Sequence, residues 1–145
     1  MKNLILITFF TFQLVNQSHS QEISIVGTWK QVGMEIIENG QLTTNITNSG
    51  NGEQLKSWSK EYFLFAGKTV NQNKVSRSFG NGTYSLTGNH YTEEINVHGS
   101  PNYEGIKLKL HLEIKGDTLI QIFPVKYDWT YDKENCWIEK FVRVD

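Results

Sequence analysis

Apolar and polar residues alternate most strictly between Ile106 and Ile114. Ile106, Leu108, Leu110, Leu112 and Ile114 share one parity, and Lys107, Lys109, His111 and Glu113 take the other. Successive side chains of a strand point to opposite faces, so this stretch predicts a strand with one face in a core and one in water. A first strand is predicted from about Ile25 to Ile37, ending at Asn39-Gly40, a dipeptide that accepts the positive φ angles of a tight hairpin turn. Gln41 to Thr47 reads as the returning strand, and Asn48-Ser49-Gly50-Asn51-Gly52 as a loop. Trp58 to Ala66 is an aromatic-rich strand, and Val75 to Phe79 a weaker one stopped by Gly80-Asn81-Gly82. Thr83 to Leu86 and His90 to Ile95 flank Thr87-Gly88-Asn89 as a hairpin. Gly116-Asp117 turns the regular strand into Thr118 to Val125. Tyr127 to Asn135 is a polar, aromatic connection, and Trp137 to Val144 closes the chain.

This makes eight to ten strands, with no convincing helix, no internal repeat and no interdomain linker. An open sheet leaves unpaired backbone groups at both edges, and closure removes them. The expected fold is therefore all-β, an antiparallel up-and-down barrel in which the Gly27-Thr28-Trp29 strand meets the Trp137 to Val144 strand.

Residues 1 to 20 change the picture of where this barrel works. Lys2 supplies a positive n-region, Leu4 to Val15 an apolar h-region, and Ser18-His19-Ser20 small residues for cleavage before Gln21. A signal peptide at 1–20 and a single domain over 21–145 are expected, in a secreted or periplasmic protein. The apolar run is shorter than the ~20 residues of a membrane-spanning helix, so no membrane span is expected. With 14 basic and 15 acidic residues, the chain shows no basic patch for nucleic acid. Cys136 is the one cysteine, so no internal disulfide forms. It reads as a small buried residue of the last strand, with an intermolecular disulfide as the alternative.

Gly27-Thr28-Trp29 resembles the G-x-W signature of lipocalins and of intracellular fatty-acid-binding proteins. Over most of the chain the pattern is closer to secreted bacterial lipocalin-like domains. There a G-T-W start precedes an aromatic strand such as Tyr62-Phe63-Leu64-Phe65. A G-T-Y-x-L-x-G-x-x-Y-T-E-x-I hairpin (here Gly82 to Ile95), a G-D-x-L turn at Gly116-Asp117 and a closing aromatic-x-R-V at Phe141 to Val144 complete it. The resemblance implies a lipocalin-like barrel of the calycin type. It implies that Gly27, Trp29 and Arg143 close one end, with the late arginine packed across the tryptophan ring. The fatty-acid-binding proteins place an Arg and a Tyr of the closing strand on the ligand carboxylate. Aligned from the chain end, Glu139 and Phe141 stand there, so the resemblance does not extend to an arginine-held carboxylate.

The cavity-lining candidates are Trp58, Tyr62, Tyr84, Tyr91, Trp137 and Phe141, since small-molecule pockets are mostly apolar with a few polar groups. A barrel this small can equally be filled by its own side chains, leaving these aromatics as core. Glu93 and Glu139 are the polar groups of such a cavity if their strand faces point inward, and surface residues otherwise. His90, Glu94 and His98 do not make a metal site, because four residues of strand span about 13 Å. No cofactor site is expected. Neither a G-x-S-x-G elbow, a phosphate loop, H-E-x-x-H nor C-x-x-C occurs. The expected function is non-catalytic binding of a small apolar or amphipathic molecule by a monomer or weak dimer. A filled barrel presenting its 41–57 segment to a protein partner, as an inhibitor or interaction module, is the alternative. A lipid-type isomerase is the third reading.

Overall fold

The computed structural model describes residues 24–47, 52–71 and 74–145. The expected signal peptide and most of the Asn48 to Gly52 loop lie outside the described residues. Among the described residues nine strands form one antiparallel sheet: β1 (Gly27–Glu38), β2 (Gln41–Thr47), β3 (Gly52–Trp58), β4 (Tyr62–Asn71), β5 (Lys74–Thr87), β6 (His90–His98), β7 (Lys107–Lys115), β8 (Thr118–Phe123) and β9 (Cys136–Arg143). Neighbours in sequence pair around the sheet, and β1 pairs with β9, so eight strands close into an up-and-down barrel. Among the described residues the one helical element is a single 3-10 turn, Pro101–Tyr103.

β2 is the extra strand. It pairs with the upper part of β1, Gly33 to Glu38, while β3 pairs with the lower part, Gly27 to Lys30. The two are successive pieces of one return path along the same edge of β1. Asn39 (φ 51°) and Gly40 (φ 73°) make the tight turn before it. β2 is the returning strand expected over Gln41 to Thr47, whereas β3, Gly52–Trp58, is a strand that was not expected. Trp58, expected to begin the aromatic strand, instead ends β3, and Tyr62 begins β4.

β5 runs straight through Gly80-Asn81-Gly82, where a stop was expected. The glycines are there for space rather than for a turn. A Cβ at Gly80 would strike the Phe65 ring and the Val97 carbonyl, and one at Gly82 the Glu94 carbonyl and the Phe63 ring. The β5–β6 register shifts between Asn81 and Gly82, a bulge that curves the long strand around the barrel.

The barrel has two unlike ends. At the lower end, Ile25, Trp29, Trp58, Phe63, Tyr91, Leu119 and Phe141 are buried together. Trp58 meets Tyr91 and Phe141 edge-on, each at 6.4 Å between centroids. At the upper end, His98 of β6 and Tyr103 of the β6–β7 connection stand at the opening of a cavity.

Candidate functional site

The alternation of β3 puts Gln54, Lys56 and Trp58 inward and leaves Leu55 outside, 41 % exposed. Lys56 is therefore a buried lysine in the middle of the barrel. Its Nζ donates to Glu93 Oε1 on β6 at 2.5 Å and to Gln121 Oε1 on β8 at 3.3 Å. It also lies 5.2, 5.3 and 5.9 Å from the ring centroids of Trp58, Phe63 and Tyr91. A buried charge is costly unless paired and hydrogen-bonded, and aromatic faces attract a cation. Lys56 has all of these partners.

Trp58 Nε1 donates to the Tyr91 hydroxyl at 2.6 Å. Burial, with the Glu93 charge adding to it, holds the Tyr91 phenol well above its ordinary value, so that it stays neutral. Gln121 is fully buried, and its Nε2 has no partner among the described residues. An ammonium is donor-only, so Gln121 must turn its carbonyl oxygen to Lys56 and leave the amide nitrogen free.

Above this polar layer the barrel is hollow. A cavity of about 270 Å³ is bounded by Phe65, Ile95, Leu108, Leu110, Phe123 and Trp137. Lys56, Glu93, Glu139, Gln54 and Ser78 supply its polar lining, and His98 and Tyr103 stand at the mouth. Glu139, on β9, accepts from Gln31 Nε2 at 3.2 Å. Burial raises its carboxyl above the ordinary range, Lys56 pulls it down, Glu93 pushes it up, and the Gln31 hydrogen bond lowers it. A second hollow of about 210 Å³ lies where β2 and β3 part. Gln31, Met34, Ile46 and Lys68 border it, and it shares Gln54, Ser78 and Glu139 with the first. The Ser78 to Gln54 hydrogen bond, 3.1 Å, runs along the shared wall.

A family described as a domain of unknown function, DUF4488, matches residues 24–145. The chain belongs to this family. No curated protein matches it. The matched residues take in all nine strands, so the DUF4488 domain is the whole barrel.

Within the DUF4488 barrel the sequence candidates separate into three groups. Glu93, Trp137 and Glu139 line the cavity. Trp58, Tyr91 and Phe141 are packed in the lower core instead, beneath the hollow. Tyr84 is half-buried beside Tyr91, with its hydroxyl donating to the Ser59 carbonyl at 2.7 Å. Tyr62 points outward and is 58 % exposed, because Phe63 and Phe65 take the inward positions of β4.

At the lower end the Arg143 guanidinium carbon lies 4.5 Å from the Trp29 ring centroid, and its Nη1 donates to the Val26 carbonyl at 2.8 Å. Gly27, at φ 129°, leaves the room that arginine needs. His90 stacks on Trp129 outside the barrel, Glu94 pairs with Lys107, and His98 packs against Phe65 and Tyr103. Those three do not converge. Cys136 is buried and free.

Sequence reasoning missed Lys56 and Gln121 of the polar layer, and Gln54, Phe65, Ser78, Leu108 and Phe123 of the cavity lining. Gln121 shares parity with Leu119 and Phe123, and Lys56 with Trp58, so the same-face rule that marks a core also marks both.

Proposed function

We propose that this domain is an exported, non-catalytic binding protein of lipocalin-like kind, taking one small amphipathic molecule into the upper half of its barrel. The hollow above the Lys56–Glu93 layer carries the reading: one wall is apolar and aromatic, and the floor presents a few fixed polar groups, as in ligand pockets generally. At about 270 Å³ it falls just under the ~300 Å³ at which such pockets usually begin, which favours a compact ligand over a long acyl chain. The closed antiparallel barrel with its G-T-W at the sealed end supports the lipocalin-like kinship. The Lys2 and Leu4 to Val15 pattern supports export. Native mass spectrometry of protein purified without denaturation is the test. A discrete added mass, lost on organic extraction, is expected. A clean apo mass together with no binding across a panel of small lipophiles would end the reading.

The outer face of β3 to β5 favours a second reading. Leu55 and Ala66 are cross-strand neighbours, as are Ala66 and Phe79, and Leu64 lies close by. Leu55, Leu64 and Phe79 are each more than two-fifths exposed. Apolar patches of this kind mark protein contacts when they are large enough. Self-association or partner capture abolished by Leu64→Lys with Phe79→Lys, and unaffected by cavity substitutions, would move this reading ahead.

A further inference from the structure

The ionic composition of the barrel interior is unbalanced. Two carboxylates, Glu93 and Glu139, share the cavity lining with one ammonium, Lys56. Lys56 is already committed: Glu93, Gln121 and three aromatic rings surround it. Among the described residues Glu139 forms no salt bridge, and Gln31 Nε2 is its one hydrogen-bond donor. Its second oxygen is left without a donor, in the wall of an aromatic cavity. A carboxylate beside aromatic faces is the constellation that recognises a cation, the carboxylate by charge and the rings by their quadrupole. Phe65, Phe123 and Trp137 supply those rings, Phe123 and Trp137 lying 5.4 Å apart between centroids.

Resting on the container reading above, we infer that the ligand carries a basic nitrogen on a compact apolar or aromatic body, and that its ammonium pairs with Glu139. The apolar body lies along Leu108, Phe123 and Trp137, with the amine directed to Glu139. An anionic head group would meet two carboxylates and a lysine with little left to offer. A neutral head group would fit but leave Glu139 uncompensated. Burial raises the Glu139 carboxyl, and the charge of Lys56, shared with Glu93, offsets this only in part. The charged and titratable groups facing the cavity are Lys56 on β3, Glu93 and His98 on β6, Tyr103 beyond β6 and Glu139 itself; across the adjoining hollow Glu139 also faces Lys68 on β4 and Glu53 on β3, which pair with each other.

Three probes of one shape test this: 2-phenylethylamine, 2-phenylethanol and 3-phenylpropanoate, titrated calorimetrically into the full domain at neutral pH. The amine is expected to bind at least tenfold more tightly than the alcohol, and the carboxylate most weakly. Glu139→Gln, an isosteric change, is expected to bring the amine down to the alcohol while leaving the alcohol unchanged, which also reports that the variant is folded. Equal binding of amine and alcohol to the unmodified domain would overturn the inference and leave the container reading standing. Tightest binding of the carboxylate would transfer the head-group role to Lys56 and overturn it as well. So would an amine preference that survives Glu139→Gln. If none of the three binds, the inference falls. The container reading falls with it only if the wider lipophile panel also fails.

Discussion

The two halves of this barrel are built from the same strands and the same alternation, yet one is solid and the other hollow. Below the Lys56 layer, inward positions carry Trp29, Trp58, Phe63, Tyr91, Leu119 and Phe141, and the rings interlock. Above it, inward positions of the barrel strands carry Gln54, Ser78 and Glu139, whose volumes cannot meet across the lumen. A β-barrel of eight strands is just wide enough for side chains to fill or for one small ligand. Side-chain size at a few positions decides between the two. Stability is accordingly concentrated in the lower half, and the proposed recognition in the upper.

Paired truncations on one strand are the most severe test of that division. Phe141→Ala is expected to cost about 3–5 kcal/mol, as for other fully buried aromatics. Trp137→Ala, four residues earlier on the same face but 41 % exposed, is expected to cost no more than about 1 kcal/mol while abolishing ligand binding. Denaturant unfolding of both variants measures this, and equal costs would erase the distinction. The layer between the halves comes next. Lys56→Met leaves Glu93 buried and unpaired, which is expected to cost about 3 kcal/mol, and adding Glu93→Gln should cost well under the sum of the two single changes. Additive costs would mean that the pair is not coupled.

A smaller effect is expected at the sealed end. Arg143→Leu removes the stacking on Trp29 and the hydrogen bond to Val26, together about 1–2 kcal/mol, without touching ligand affinity. The smallest is a gain. Glu139 is raised in the folded state, so between its ordinary and its raised value the folded protein holds a proton that the unfolded chain has released. Stability therefore falls as pH rises through that window. Glu139→Gln is expected to stabilise the apo protein by about 1 kcal/mol at pH 8, with the gain vanishing near pH 4. Thermal melts at the two pH values decide it, and a gain independent of pH would exclude the carboxyl as its source.

What could be read from sequence divides along the same line. β7 was plain because Leu108, Leu110 and Leu112 face inward and lysines face out. Asn39-Gly40 and Gly88-Asn89 marked their turns through backbone conformation alone. β3 was hidden because its pattern is inverted: Gln54 and Lys56 point in, and Leu55 points out. A rule equating apolar with inside reads such a segment as loop. The run Tyr62-Phe63-Leu64-Phe65 is apolar at every position, so its parity was undetermined and Tyr62 was assigned to the wrong face. Gly80 and Gly82 looked like punctuation because their function, room for Phe65 and Phe63, depends on the neighbouring strand. The hollow itself has no local signature. It depends on which small and polar residues from different strands share one level of the barrel.

The seam between β1 and β9 also governs how the molecule comes into being. The Thr28 amide and the Asp145 carboxylate that receives its hydrogen bond are 117 residues apart in the chain. Ribosomes add about 5–20 residues per second, so the first strand waits many seconds with one edge unoccupied before its partner exists. Loop-closure entropy over that distance makes the joining slow even then, on the order of milliseconds to seconds for folds dominated by non-local pairing. The nascent protein is therefore an open, unsealed ribbon for most of its synthesis. The eight residues of β9 act as the zip, and a chain that loses them keeps two bare edges and a strong tendency to find them on another copy of itself.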